Sequence, residues 1–362
     1  MNSHQSPVTS HQLKKPSYNK ILIIRLDRIG DVVLSTPAMR AIREAYPASH
    51  IACMVRPHAA DIVMGSPYID EVLIYDKDGA HKGLRGTLSF AGALRRSRFD
   101  AAVILHPTGR THIIAFLAGI PERIGYDKKW GFLLTKRLPH LKQLGMKHES
   151  EYTLDIVRHM GIEPKDLSLY MPLSPESEKK IDSIFAGNGI RREDTVIVLN
   201  PGASCPSKRW PCKNFAQLGE VLCDRFRAKI VVAGGKGDVE TGKGVAGSMK
   251  AGVLDLSGKT TVADLASIFR RSKLLISNDS GPVHIACAVG TPVVAIFGRN
   301  DRGLSPVRWG PSGKGDIVLH KDVGCGVCLA HNCKIGFKCL EAVTVEEVVA
   351  AAGKILKIDN AK

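Results

Sequence analysis

The sequence predicts an α/β protein of two Rossmann-like αβα domains facing a central cleft. Short β-branched runs alternate from end to end with helix-length amphipathic stretches, the pattern of parallel sheets wrapped by crossover helices. The strand runs are almost continuously apolar and do not alternate, as befits strands buried on both faces. The pattern also pauses over residues 137–194 and then restarts, which divides it into two blocks.

In chain order, the first block offers strands at 20–26 (KILIIRL), 50–55 (HIACMV), 71–75 (EVLIY) and 100–105 (DAAVIL), with helical stretches near 36–46, 84–96 and 111–118. The segment between the blocks carries few strand signals and reads as helical pieces broken by Pro164 and Pro172. The second block runs through 195–200 (TVIVLN), 229–233 (KIVVA), 253–256 (VLDL), 273–277 (KLLIS) and 292–297 (PVVAIF), with helices near 213–226 and 262–270. Because this block has glycine-rich turns of its own, two domains are preferred over one large sheet. The expected organisation is a disordered tail over 1–19, a first domain over 20–175, a second over 176–343, and a closing helix within 344–362.

Composition narrows the class. The 362 residues are 44% hydrophobic and 24% charged, the balance of a folded globular chain, and no run reaches the roughly 18 apolar residues of a membrane-spanning helix. The first 19 residues are polar, with no apolar run ahead of a small-residue cleavage site, so they read as a tail and imply a cytoplasmic protein. A formal charge of +16 points to an acidic partner. With no recognition module and only 6% aromatics, nucleic acid is a poor candidate for it. Much of the excess lies between Arg123 and Lys147, where Lys128, Lys129, Lys136 and Arg137 make a basic patch; such a run serves equally as a solvated surface.

Three polar segments follow strands, the edge of a parallel sheet at which ligands bind. In the first, Arg25-Leu26-Asp27-Arg28-Ile29-Gly30-Asp31, Asp31 opens a helix and is either a cap or a general base, while Asp27 pairs with Arg25 or Arg28. The second, Asn200 to Pro211, joins Gly202, Ser204, Ser207 and Lys208 into a cradle for a diphosphate without the spacing of a Walker A loop. The third, Asp279-Ser280-Gly281-Pro282-Val283-His284, places Pro282 early in a helix where its missing N–H costs nothing. The free amides of that helix then face phosphate oxygens.

Taken together, RLDRIGDVVLSTPAMRAIREAYP, NPGASCPSKRWPCKNFAQLG and NDSGPVHIACAVGTPVVAIFG, in that order, resemble glycosyltransferase family 9, the ADP-heptose:lipopolysaccharide heptosyltransferases, and in particular the heptosyltransferase II type. The resemblance covers nearly all of the chain after residue 19 and implies the GT-B architecture. It implies Asp31 as catalytic base, Lys208 as a ligand of the donor phosphate, and Asp279, Ser280, Gly281 and His284 as holders of the donor diphosphate and sugar. Ser204 matches a phosphate-contacting hydroxyl, although Ala203 stands where the family has another. A carboxylate that grips the donor ribose falls at Glu240.

The implied reaction is inverting transfer of heptose from ADP-heptose to the lipopolysaccharide inner core, on a lipid A-containing acceptor at the anionic inner face of the membrane, with no cofactor required. The basic patch of the first domain is then assigned to the acceptor side. Other nucleotide-sugar enzymes of GT-B fold, an epimerase included, are the alternative. A nicotinamide oxidoreductase is disfavoured because RIGDVV, not GxGxxG, follows the first strand. Cys325, Cys328, Cys333 and Cys339 cluster at short spacing, and read as a structural zinc or iron–sulfur site, as disulfides, or as reduced structural thiols.

Overall fold

The computed structural model describes residues 17–359. Of the tail expected over 1–19, residues 1–16 lie outside the described residues, and Tyr18 is buried against Tyr46 with ring centroids 5.3 Å apart. Two six-stranded sheets, parallel throughout, make up the fold. The first contains β1 (Lys20–Ile24), β2 (His50–Val55), β3 (Glu71–Ile74), β4 (Ala101–Ile104), β5 (Glu122–Asp127) and β6 (Lys136–Pro139) in the order β3-β2-β1-β4-β5-β6. The second contains β7 (Val196–Asn200), β8 (Lys229–Val232), β9 (Val253–Asp255), β10 (Leu274–Asn278), β11 (Val293–Phe297) and β12 (Ile317–His320) in the order β12-β11-β10-β7-β8-β9.

Every strand expected from an apolar run is present, and the central ones, such as β4, β7 and β11, are buried along their whole length. Three strands were not legible. β5 (ERIGYD) and β6 (KRLP) lie in the basic segment, and β12 closes the second sheet. β6 and β12 are edge strands and β5 lies next to an edge. β5 and β6 carry no apolar run, and the charge of β6 at an edge discourages pairing with other chains, while β12 is an apolar run of only four residues, IVLH. Gly125 is needed inside β5, since a Cβ there would lie 2.9 Å from the Ile104 carbonyl oxygen on β4.

In each sheet the chain winds outward through three strands and returns to the far side of the first. The switch points therefore lie between β1 and β4 and between β7 and β10, and the crevice outside their carboxyl ends is where ligands bind in such sheets. One apolar cluster runs from Ile21, Ile23 and Val103 of the first sheet to Val198, Leu275 and Phe297 of the second. The helix Pro175–Gly187 belongs with the second sheet: it packs on the helix Val262–Arg270, with Lys180 paired to Asp264 at 2.5 Å. That second helix starts on a reciprocal cap, in which Thr261 Oγ1 accepts from Asp264 N and the Asp264 carboxylate accepts from Thr261 N. The closing helix, Val345–Asp359, packs on the other face of the second sheet, burying Val348 and Ala352 with Leu218 and Leu222.

Candidate active site

At the end of β1 the chain buries a guanidinium. Arg25 is 1% exposed; its NH1 donates to the Leu105 carbonyl beyond β4 at 2.6 Å, its Nε lies 3.0 Å from Asp27, and its NH2 donates to Asp31 at 3.0 Å. Asp27 thus makes the ion pair expected of it. Asp31 sits in the first turn of the helix Ile29–Val33, which has no side-chain cap, so its carboxylate is held by Arg25 and is free of capping duty. Burial, then the neighbouring Asp27 carboxylate, outweigh Arg25 and raise Asp31 to about 6. His106, after β4, lies 3.8 Å from Asp27; burial and then Arg25 lower it to about 3, which leaves it neutral near pH 7.

Across the cleft, the ends of β7, β10 and β11 build a second charged centre. Asp279, 4% exposed, is gripped by Lys208 Nζ at 3.0 Å and by Arg299 NH2 at 2.7 Å. Its role is therefore to hold two cations in place at the cleft. Burial lowers the Lys208 pKa and Asp279 opposes it. Asn278 staples the two loops that carry these groups: its side chain accepts from Trp210 N at 3.0 Å and donates to the Pro201 carbonyl at 2.7 Å. Ser280 precedes the helix Gly281–Ala288, but its hydroxyl bonds Ser277 Oγ at 3.1 Å, so this helix N-terminus too lacks a side-chain cap. His284, 4% exposed, has no partner at Nδ1 among the described residues. Burial, then His148, lower it to about 3.

The two centres meet because two glycines allow it. A Cβ on Gly30 would lie 2.9 Å from His284 Cδ2 and 3.2 Å from Gly281 Cα; one on Gly281 would lie 2.7 Å from Ile29 Cγ1. Arg28 also donates to Ser204 Oγ across the cleft at 3.3 Å. The resulting cavity of about 230 Å³ is lined by Asp31, Ser204, Lys208, Asp279, Ser280, Gly281 and His284, together with Arg28, Arg299, Leu304 and Trp309. A second cavity of about 400 Å³ shares Ser204 and Ser280 with it and continues past Gly202, Arg209 and Asp238. Sequence reading missed Arg28 and Arg299. Both lie in strand-end segments, Arg299 two residues beyond β11, so the strand-end rule applied to every strand would have found them.

Glu240 is not brought to either cavity: its side chain is 87% exposed and pairs with Lys243 at 3.1 Å. Asp238 lines the second cavity instead, its carboxylate accepting from Gly235 N at 3.0 Å. The basic segment is only partly taken up by the fold. Lys136 pairs with Glu122 and Arg137 with Asp127, while Lys142 is buried; Lys128 and Lys129 are exposed. Cys325, Cys328, Cys333 and Cys339 line one cavity of about 300 Å³ behind the loop that carries Lys208. Among the described residues, however, no three His, Cys, Asp or Glu side chains converge as a metal-ligand set. Two of the thiols are turned to the backbone, Cys339 donating to the Gly298 carbonyl at 2.9 Å and Cys333 accepting from Phe337 N at 3.2 Å, so no step is assigned to a metal there.

Two parallel αβα units with a carboxylate on one side of the cleft and paired cations on the other have the GT-B architecture of glycosyltransferases. The model of glycosyltransferase family 9 (heptosyltransferase) matches residues 87–338, and the chain belongs to this family of enzymes. It is 25% identical over 296 residues to lipopolysaccharide heptosyltransferase 2 of Escherichia coli K12, covering 79% of this chain and 85% of that one. The solved structure of a family 9 glycosyl transferase from Veillonella parvula superposes with a TM-score of 0.85 at 28% identity, over 94% of this chain and 98% of that one. The E. coli ADP-heptose lps heptosyltransferase II structure shares the fold, with a TM-score of 0.78 at 22% identity over 94% and 99% of the two chains.

Gly30→Val is expected to separate the two halves, because the new side chain meets backbone across the cleft. Small-angle X-ray scattering should show a larger radius of gyration with an unchanged far-ultraviolet circular dichroism spectrum. An unchanged radius would show that the approach of Gly30 to Gly281 does not limit closure.

Proposed function

We propose that the chain transfers heptose from ADP-heptose to a hydroxyl of the lipopolysaccharide inner core, with inversion at the anomeric carbon. The observation that carries this reading is the meeting in one cavity of a carboxylate raised to about 6, Asp31, with the cations Lys208 and Arg299 and an uncapped helix N-terminus from the other half. Asp31 takes the proton of the acceptor hydroxyl as its oxygen bonds the anomeric carbon. The bond from that carbon to the diphosphate breaks on the opposite face, and ADP leaves. Lys208, Arg299 and the amides at Gly281 meet the charge that develops on the diphosphate, where fixed donors in a buried site act most strongly. The larger cavity beside Ser204 and Ser280 takes the nucleoside, with Asp238 in reach of its ribose. The first domain, residues 20–175, then serves the acceptor and the second, 176–343, the donor. Thermal shift with a panel of nucleotide sugars tests the donor, and the anomeric configuration of the product, read by NMR, tests inversion.

Above its pKa Asp31 is the carboxylate that a base must be, so activity should be present above about pH 6 and fall about tenfold per pH unit below it. Asp31→Asn should fold, retain ADP affinity and lose turnover by on the order of 10²-fold or more. Full turnover in this variant would remove Asp31 from the chemistry.

Arg299→Gln should weaken ADP by roughly 1.5–3 kcal/mol, the range for a charge-assisted hydrogen bond, whereas Glu240→Gln should leave it unchanged. Isothermal titration distinguishes the two, and the reverse result would return the donor carboxylate to Glu240.

The acceptor is a lipid, and the first domain has a surface suited to the cytoplasmic face of an anionic membrane. Exposed Lys128 and Lys129 flank Trp130 and Phe132, which are 51% and 70% exposed with ring centroids 6.2 Å apart. Each cation near such a surface contributes about 1 kcal/mol. Lys128→Glu with Lys129→Glu should reduce sedimentation with phosphatidylglycerol vesicles and raise the Michaelis constant for acceptor, with ADP affinity unaltered. Loss of ADP affinity would place this loop on the donor side.

A further inference from the structure

Arg25 and Asp31 do not stand alone in the first half of the cleft. Glu149, 2% exposed, is shared among three cations. Its Oε1 accepts from Lys142 Nζ at 2.7 Å and from Arg25 NH2 at 3.3 Å, and its Oε2 accepts from Arg308 Nε and NH2 at 2.9 and 2.8 Å. Arg25 and Lys142 belong to the first half; Arg308 belongs to the second, on the short helix Pro306–Trp309.

The segment around Arg308 is pressed onto the first half. Gly145, at φ +58°, lies so close to the Arg302 carbonyl that a Cβ there would be 1.7 Å from its oxygen. Arg308 NH1 donates to the Lys142 carbonyl at 3.1 Å, and His148 Nε2 lies 3.0 Å from the Gly310 carbonyl. The same segment supplies Leu304 and Trp309 to the wall of the cavity that holds Asp31. Arg308 can therefore reach Glu149 only while the cleft is closed at this point, and Glu149 is one guanidinium away from Asp31.

We propose that Glu149 is a positioning residue that couples closure of the cleft to the charge state of the base: through Arg308 it registers the arrival of the second half, and through Arg25 it acts on Asp31. With Arg308 in place, the carboxylates Asp27, Asp31 and Glu149 face the cations Arg25, Lys142 and Arg308, and the group is balanced. Withdrawing Arg308 leaves Glu149 to compete with Asp31 for Arg25, and the buried group is then relieved by a proton on Asp31. The base is a carboxylate when the cleft is closed over a donor and takes up a proton when it is open. Of the other titratable groups that face this cluster, His106 beyond β4 and His284 beside Gly30 are held neutral by burial first of all, while burial raises Asp27 against the pull of Arg25 and lowers Lys142 against that of Glu149. Glu149 itself stays charged: burial raises it, but Lys142, Arg25 and Arg308 together bring it down to about 2.

This inference rests on the reading of Asp31 as base, and its test separates the two. The acidic limb of kcat/KM against pH is measured for the wild type, Asp31→Asn, Glu149→Gln, Arg308→Gln and Arg308→Lys. Removing the Glu149 charge should move the limb to lower pH, and removing the Arg308 charge should move it to higher pH, each by on the order of half a unit or more. Arg308→Lys should restore most of the wild-type position. Loss of packing alone would lower activity at every pH without moving the limb, and would not move it in opposite directions. Should Glu149→Gln fail to fold, the shift in Arg308→Gln and its reversal in Arg308→Lys carry the test. A limb that survives in Asp31→Asn overturns the base assignment and the coupling with it. A limb that is lost in Asp31→Asn but stays in place in both Arg308 variants overturns the coupling alone.

Discussion

A guanidinium buried to 1% exposure at the end of the first strand is the constraint on which the first half depends. Burial opposes the Arg25 charge, and Asp27, Asp31 and Glu149 around it restore it, so that its pKa lies above the ordinary value. A lone buried charge is far more costly than a paired and hydrogen-bonded one, which accounts for carboxylates gathering around Arg25. The Leu105 carbonyl completes the set and ties the end of β1 to the end of β4, across the switch point. A helix-opening aspartate is thereby converted from a cap into a group aimed at the cleft.

The second half inverts the signs. There the buried centre is a carboxylate, Asp279, and the groups arranged around it are Lys208 and Arg299. Both halves solve the same problem, holding a functional charge at a sheet edge by burying its opposite beneath it. The electrostatic difference between the halves suits the division of labour proposed for them, with a proton acceptor on one side and a diphosphate clamp on the other. The Gly30–Gly281 approach brings the two within one cavity, and side chains at those positions would hold them apart.

The interface between the halves is itself charged and hydrogen-bonded around Glu149, and apolar through the core cluster that joins the sheets. The pair Arg308–Glu149 is buried between the halves, one guanidinium away from Asp31.

The sequence by itself determined the class of fold, the division into two blocks and the segments that line the cleft. Central strands buried on both faces, such as β1, β4, β7 and β11, must be apolar throughout, and polar residues just beyond them must lie at the ligand edge. Both are local properties. Asp31, Lys208 and the Asp279–His284 run were legible for that reason, helped by the family resemblance. Edge strand β6 was not, because KRLP carries no apolar run, and β12, though apolar (IVLH), is only four residues long; Glu240 lies exposed on the helix that follows β8. Tertiary structure alone decided that Lys142 is buried, that Lys136 and Arg137 lie beside Glu122 and Asp127, and that Arg299 joins Lys208. It alone decided too that Glu149 links Arg25, 124 residues away in sequence, to Arg308, 159 residues away. Charge pairing at such separations leaves no periodicity in the chain; it exists only once two sheets have folded and closed on each other.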